Sequence, residues 1–213
     1  HELRTPLTPV LIWAAGTVDQ GDLPAEIDEG LRMICRNIEL EARLIDDLLD
    51  LTRINRGKLQ LHRCEADVHE LLRHSFGMVQ SEMDARELKL EVRLAAQRPR
   101  VFADPARLQQ VFWNVLRNAS KFSQRAGTIF VRTFNPTPER LTIEITDEGI
   151  GIDPQFLAII FDAFEQVGAR PEGLGLGLAI SKAIVEMHDG TIRAHSAGAG
   201  SGASLVIELP AGV

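Results

Sequence analysis

Three polar residues, Asn114, Asn118 and Lys121, are spaced four and three residues apart in a segment that otherwise reads as an amphipathic helix. At that spacing their side chains share one helical face. An asparagine carbonyl oxygen is a hard, uncharged ligand of the kind that Mg²⁺ prefers, and a lysine ammonium suits a phosphate. The face is a candidate site for a magnesium-bound phosphate, and an ordinary solvated helix face is the alternative.

Two glycine-rich segments lie further along the chain. The first follows a predicted strand, and its Asp147 carboxylate can accept a hydrogen bond from an exocyclic amine such as that of adenine. The second precedes a predicted helix, where backbone N–H groups are available to a phosphate. Its spacing fits neither a dinucleotide fingerprint nor a P-loop. The glycines concerned are Gly149, Gly151, Gly173, Gly175 and Gly177.

The first quarter of the chain has helical periodicity. A first helix is followed by a predicted turn over Thr17–Leu23, and Pro24 suits the first position of a second, long helix. Apolar residues from Ile27 to Thr52 recur with a spacing close to a heptad. Because a lone helical hairpin buries too little surface, we expect two chains to form a dimeric four-helix bundle. Packing of the hairpin on its own second domain is the alternative.

The rest of the chain mixes strands and helices, and the periodicity changes near Arg56-Gly57-Lys58. We therefore predict a helical hairpin domain over 1–57 and a second domain over 58–213. The second domain is predicted to be one mixed sheet with about three helices on a single face, an α+β two-layer sandwich. Its predicted strands are 59–61, 88–94, 101–103, 128–134, 141–146, 191–195 and 203–209, and its predicted helices are 67–83, 105–122, one after Asp153-Pro154 and 177–187.

Composition narrows the classes of partner. The net charge of −7 argues against nucleic-acid binding, which needs clustered lysine and arginine. No apolar run approaches the roughly 18 residues of a membrane span, so we expect no membrane contact by this segment. Two cysteines without metal-ligand spacing fit a reducing cytoplasm. A chain that starts on His1 without an initiator methionine is expected to be a fragment of a longer protein.

Taken together, five ordered motifs resemble the catalytic core of the sensor histidine kinases. The opening His1-Glu-Leu-Arg-Thr-Pro resembles the phosphoacceptor box of that family. The segments that resemble its N box, first G box, F box and second G box are Asn114–Ser123, Asp147–Gly151, Phe161–Phe164 and Gly173–Gly177. The resemblance covers essentially the whole chain.

This resemblance implies a Bergerat-type ATP-binding fold of the GHKL superfamily and a dimeric helical hairpin. It implies that His1 accepts a phosphoryl group from ATP, that Glu2 acts as general base, and that Thr5 positions a water that dephosphorylates the response regulator. Neutral imidazole is itself a competent nucleophile near pH 7. In the ATP site, Asp147 would bind the adenine amine, and Lys121 would contact phosphate.

By the same resemblance, Asn118, helped by Asn114, would hold Mg²⁺ against the phosphates. The F box residues Phe161 and Phe164 and the second G box would border a mobile lid over Gln166–Leu176. The implied partners are a second copy of the chain and a receiver domain that takes the phosphoryl group on an aspartate. The implied setting is the cytoplasm, in a soluble protein or in the cytoplasmic part of a membrane-anchored sensor.

Two other functions compete with this one. A catalytically silent module could bind nucleotide and a partner without chemistry, but the intact Asn118, Asp147 and glycines argue against it. An ATPase of the gyrase or mismatch-repair kind would lack the His1 box and the helical hairpin.

Overall fold

The computed structural model describes residues 7–19, 23–166 and 174–212. The chain divides into two compact units, His1–Lys58 and Leu59–Val213, and each is considered by itself. In the described ranges, none of the helices is both long enough and apolar enough to cross a membrane. The helical hairpin followed by a mixed α/β domain confirms the predicted fold class.

The first unit is a pair of helices, α1 (Leu7–Asp19) and α2 (Ala25–Asn55). The predicted turn over Thr17–Leu23 begins too early, because α1 continues through Asp19 and the Thr17 hydroxyl donates to the Trp13 carbonyl at 2.7 Å. Pro24 is the residue before α2 rather than its first residue. Its carbonyl accepts hydrogen bonds from the first turn of α2, at 2.9 and 3.0 Å.

The second unit has seven strands and three α-helices among its described residues. The strands are β1 (Cys64–Asp67), β2 (Lys89–Leu94), β3 (Arg100–Ala103), β4 (Thr128–Thr137), β5 (Arg140–Asp147), β6 (Thr191–His195) and β7 (Ala203–Pro210). The helices are α3 (Val68–Ala85), α4 (Pro105–Phe122) and α5 (Gly177–Met187). The bounds of α5 and β6 are those predicted.

The strands form two sheets, which corrects the prediction of a single sheet. The five-stranded sheet has the order β2-β4-β5-β7-β6, in which β2 and β4 are parallel and the other neighbours antiparallel. β1 and β3 pair separately. The predicted strand at Leu59–Leu61 is wrong: the strand starts at Cys64, and the preceding His62 N–H instead donates to the Asp104 carboxylate at 2.9 Å.

Two further boundaries differ from the predictions. The helix expected after Asp153 is a single 3₁₀ turn, Pro154–Phe156, followed by turns. β4 runs through the predicted loop as far as Thr137, with a register shift after Phe134, so the chain reverses at Pro138-Glu139.

The core lies between the five-stranded sheet and the three helices. Alternate residues of β4, β5 and β7 are buried, as expected for strands with one covered face. α4 contacts both α3 and α5, and its buried stripe includes Leu108, Val111, Phe112 and Val115. Asp104 caps α4, because its carboxylate accepts the N–H groups of Ala106 and Arg107 at 3.1 and 3.2 Å. The core therefore fixes α4, which carries the polar trio: Asn114 is buried, and Asn118 and Lys121 are half-buried.

Candidate functional site

The polar trio lies on the C-terminal half of α4, as its spacing predicts. Asn114 is buried, and its amide nitrogen donates to the Gly177 carbonyl at 3.2 Å and to the Ser181 hydroxyl at 3.3 Å. Asn118 is half-buried and makes no side-chain hydrogen bond with another described residue. The Lys121 ammonium lies 5.0 Å from the centre of the Phe122 ring. The trio thus offers amide oxygens and a cation on one face.

Asp147 ends β5 and is 6% exposed. Burial raises the pKa of its carboxyl above the usual range, because the charged form is poorly solvated there. One carboxylate oxygen accepts the N–H of Gly149 at 2.9 Å. A carboxyl group whose pKa is shifted by burial at the end of a strand is a candidate for a functional site.

Gly149 joins the segment after β5 to the end of α4. The Phe122 carbonyl accepts the N–H of Ile150 at 3.1 Å, and Gly149 forms a bridge with Ser123. A Cβ at Gly149 would lie 2.2 Å from the Phe122 carbonyl oxygen and 2.6 Å from the Asp147 carboxylate. Only glycine fits here. The first glycine motif is therefore brought next to the helix that carries Asn118 and Lys121.

A third glycine-rich segment, which was not among the predicted site residues, completes this region. Gly151 has φ +69°, and a Cβ there would lie 2.0 Å from the Gly198 carbonyl oxygen. The Gly202 N–H donates to the Gly149 carbonyl at 3.1 Å. The Ser196 hydroxyl accepts the N–H of Ile152 at 2.9 Å. The signal was present in the sequence, since three glycines alternate from Gly198 to Gly202.

The F box and the second G box are in contact. The Phe164 N–H donates to the Gly175 carbonyl at 3.2 Å, and both residues have φ of 70°. A Cβ at Gly175 would lie 2.5 Å from the Glu165 carbonyl oxygen. Phe164 is exposed, and the ammonium of Lys182 lies 6.0 Å from the Phe161 ring. Gly177 begins α5 and packs against Asn114.

Some predicted residues lie outside the described ranges. These are His1, Glu2, Thr5 and Gly173, together with residues 167–173 of the predicted lid.

A second polar cluster, formed by His188 and Asp104, ties α4 to α5. His188 is buried; its Nε2 accepts the Asp104 N–H at 2.9 Å, and its Nδ1 bonds the Ile184 carbonyl at 2.7 Å. Both bonds need the neutral ring with its proton on Nδ1. Burial lowers the pKa of His188, and it also lowers that of His69. Neither bond could be read from the Met-His-Asp-Gly sequence.

The residues present fit a magnesium nucleotide. Among the described residues, no cluster of three or more His, Cys, Asp or Glu side chains could hold a metal ion by itself. A cation here would depend on amide oxygens and on the ligand's own phosphates, which is how Mg²⁺ is commonly held with nucleotides. The Asn118 amide, which bonds no other residue in the part of the chain that the structure describes, supplies such an oxygen.

Comparison with known families defines the class. Residues 103–213 match the family of histidine kinase-, DNA gyrase B- and HSP90-like ATPases. Residues 1–57 match the His Kinase A (phospho-acceptor) domain. The chain belongs to the sensor histidine kinases, and it carries the two domains of their ATP-dependent catalytic core.

Curated relatives agree with this class. The circadian input-output histidine kinase CikA of Synechococcus elongatus is 34% identical over 99% of this chain and 29% of its own length. The sensor histidine kinase ZraS of Salmonella typhimurium is 31% identical over 99% of this chain and 44% of its own length. The chain thus spans less than half of the length of either relative.

Solved structures share the fold. The structure of full-length ShkA in complex with AMPPNP matches this chain with a TM-score of 0.81 and 27% sequence identity. The match covers 100% of this chain and 45% of the ShkA chain. The histidine kinase ThkA in complex with the response regulator protein TrrA has a TM-score of 0.68 at 18% identity, covering 99% of this chain and 60% of its own. At 18% identity, the similarity to ThkA supports only the shared fold.

Proposed function

We propose that this chain binds ATP with Mg²⁺, phosphorylates His1, and passes the phosphoryl group to an aspartate of a response-regulator receiver domain. The observation that carries the proposal is Asp147, a buried carboxylate at the end of β5, beside a glycine that tolerates no side chain. It occurs in a domain of an ATP-binding family, on the same chain as a phospho-acceptor domain that includes His1.

The proposed chemical step is an in-line phosphoryl transfer. A ring nitrogen of His1 attacks the γ-phosphorus, a nitrogen–phosphorus bond forms, and the bond to the bridging oxygen of ADP breaks. The imidazole proton passes to the Glu2 carboxylate, which acts as general base. In the second step the phosphoryl group moves from His1 to a receiver aspartate and the imidazole is regenerated.

We assign the ATP contacts to the residues around β5 and α4. Asp147 accepts a hydrogen bond from the adenine amine, while Gly149 and Gly151 leave room for the base. Lys121 contacts phosphate. The segment from Phe161 and Phe164 to Gly173, Gly175 and Gly177 borders the nucleotide and includes the proposed lid. The hydrogen bond between Phe164 and Gly175 supports treating the F box and second G box as one unit.

We assign the Mg²⁺ contacts to Asn118, helped by Asn114. A bound magnesium ion would offset the charge that develops on the phosphate oxygens during transfer. The Asn118 amide supports this assignment, because it bonds none of the other described residues and neutral amide oxygens are good ligands for a cation that the phosphates already hold.

We propose that the first domain, residues 1–57, forms a homodimer, and that the catalytic ATP-binding domain is 58–213. In the single chain, Ala14 and Leu31 are the only described apolar residues of α1 and α2 that are buried. Exposed large apolar residues on these helices are Val10, Ile12, Trp13, Ile27, Met33, Ile34, Leu40, Leu48 and Leu49. A second copy would bury such a surface in a four-helix bundle.

Incubation of the chain with labelled ATP and Mg²⁺ tests the kinase reaction. We expect an acid-labile phosphate that disappears in His1→Gln and persists in His74→Gln, which alters an exposed histidine of α3. Label that survives in His1→Gln would refute the assignment of the acceptor. Transfer is tested by adding receiver domains and following loss of label from the kinase; Thr5→Ala tests dephosphorylation of the labelled receiver.

A further inference from the structure

The first turn of α5 is attached to α4 by two hydrogen bonds from Asn114, and a third bond within α5 closes the cluster. The Asn114 amide nitrogen donates to the Gly177 carbonyl at 3.2 Å and to the Ser181 hydroxyl at 3.3 Å. The Ser181 hydroxyl donates its own proton to the same Gly177 carbonyl at 2.7 Å. Ser181 is fully buried and Asn114 is 7% exposed. The three groups therefore form a closed cluster with water excluded from Ser181.

The chemistry of the cluster fixes the orientation of the Asn114 amide. Its nitrogen faces both the Gly177 carbonyl and the Ser181 oxygen, and Ser181 gives its own proton to that carbonyl. The reversed amide would place an oxygen against the Gly177 carbonyl oxygen, which repels it. The Asn114 carbonyl oxygen is consequently left over, and no described residue donates a hydrogen bond to it.

We propose that Ser181 is a positioning residue for the magnesium nucleotide: it holds the Asn114 amide so that its carbonyl oxygen is presented as a ligand, and it fixes the start of α5. This inference rests on the proposed function of Asn114 and Asn118. Groups that orient a metal ligand commonly change metal affinity by about 10- to 100-fold when removed. Ser181 lies outside all of the motifs that were recognised in the sequence.

A purely structural role for Ser181 is the competing explanation. Serine hydroxyls often bond the carbonyl four residues earlier in a helix. Ser75 in α3 does so, bonding the Leu71 carbonyl at 2.9 Å, and it is also fully buried. The difference is that Ser181 also accepts a bond from Asn114, whereas Ser75 has no such bond with a candidate ligand residue. Ser75→Ala is therefore a matched control for Ser181→Ala.

The proposal is tested by measuring the affinity of the full chain for AMPPNP by isothermal titration calorimetry, once with Mg²⁺ and once with EDTA. We expect Ser181→Ala to weaken binding at least 10-fold with Mg²⁺ and much less in EDTA, whereas Ser75→Ala stays within twofold of wild type in both. Ser181→Cys fills the site but has only a weak donor, so it should show the same Mg²⁺-dependent loss of affinity and serves as the test if Ser181→Ala folds poorly.

The outcomes separate the two proposals. Equal affinities for the Ser181 and Ser75 variants would overturn the positioning role, and so would a loss for Ser181→Ala that is the same with and without Mg²⁺. Failure of the wild-type chain to bind AMPPNP would instead overturn the proposed nucleotide site. A thermal melt of each variant shows whether the two alanine substitutions affect folding equally.

Discussion

Two buried aspartates of this domain should respond in opposite ways to the same substitution. Asp104 and Asp147 are each 6% exposed, and each accepts backbone N–H groups. Burial raises the pKa of the Asp147 carboxyl. Burial also opposes ionisation of Asp104, but N–H donors from His62, Arg107 and Ala106 outweigh it and lower the pKa of that carboxyl. Asparagine keeps the shape of the side chain and removes the charge.

The sign of each stability change follows from proton linkage. The folded state binds the Asp147 proton more tightly than the unfolded state, so stability is lost as pH rises from the usual carboxyl range to the higher folded pKa. Asp147→Asn should therefore raise the free energy of unfolding at pH 7. For Asp104 the folded pKa is depressed, and its contribution is present above the usual range and lost as pH falls through the folded pKa. Asp104→Asn should lower stability at pH 7 by about 1 to 2 kcal/mol.

Asp147→Asn should weaken nucleotide binding, although it stabilises the fold. A hydrogen bond to a charged acceptor contributes roughly 1.5 to 3 kcal/mol, which corresponds to about a 10- to 100-fold change in affinity. Asp147→Asn should thus be more stable without ligand and bind AMPPNP about 10- to 100-fold more weakly. Asp104→Asn, at the opposite end of α4 from Asn118 and Lys121, should bind within about threefold of wild type once folded.

Urea denaturation at several pH values and calorimetric titration with AMPPNP measure both quantities. The reasoning about burial is wrong if Asp147→Asn is destabilised as much as Asp104→Asn at pH 7. The assignment of Asp147 to the adenine amine is wrong if that variant binds as tightly as wild type.

Two further predictions concern packing and protonation. Gly149→Ala should destabilise the domain by about 1 to 3 kcal/mol, because its Cβ would lie 2.2 Å from the Phe122 carbonyl oxygen. Gly77→Ala in α3, where nothing beyond the adjoining helix backbone lies within 4 Å of the new Cβ, should instead stabilise by about 0.5 to 1 kcal/mol in urea denaturation. Burial lowers the pKa of His188, so stability should fall as pH drops below about 6.5, the usual histidine value. His188→Leu should flatten that slope and lose about 1 to 3 kcal/mol at pH 7.5, because the buried Asp104 N–H loses its acceptor; an unchanged pH profile would contradict this.

Local features of the sequence predicted most elements of the second domain. Asp104-Pro105 marked the start of α4, and alternating apolar residues marked β4, β5 and β7, because caps and strand periodicity depend on near neighbours. The predictions were wrong where contacts with residues distant in sequence determine the local structure. Leu59–Leu61 has apolar alternation, but the chain there is bound to the cap of α4 through His62. The separate β1–β3 sheet is likewise set by pairing between segments more than 30 residues apart.

The family and its motifs can be recognised from the amino-acid order alone, because the boxes from His1 to Gly177 are contiguous stretches of residues. Which of these residues touch depends on how the chain folds. It joins Gly149 to the end of α4, ties Asn114 to Ser181 sixty-seven positions away, and buries Asp104 and His188 against each other. The physical reason is that burial and long-range hydrogen bonds set the charge state and orientation of a polar side chain, and neither can be read from its neighbours in sequence.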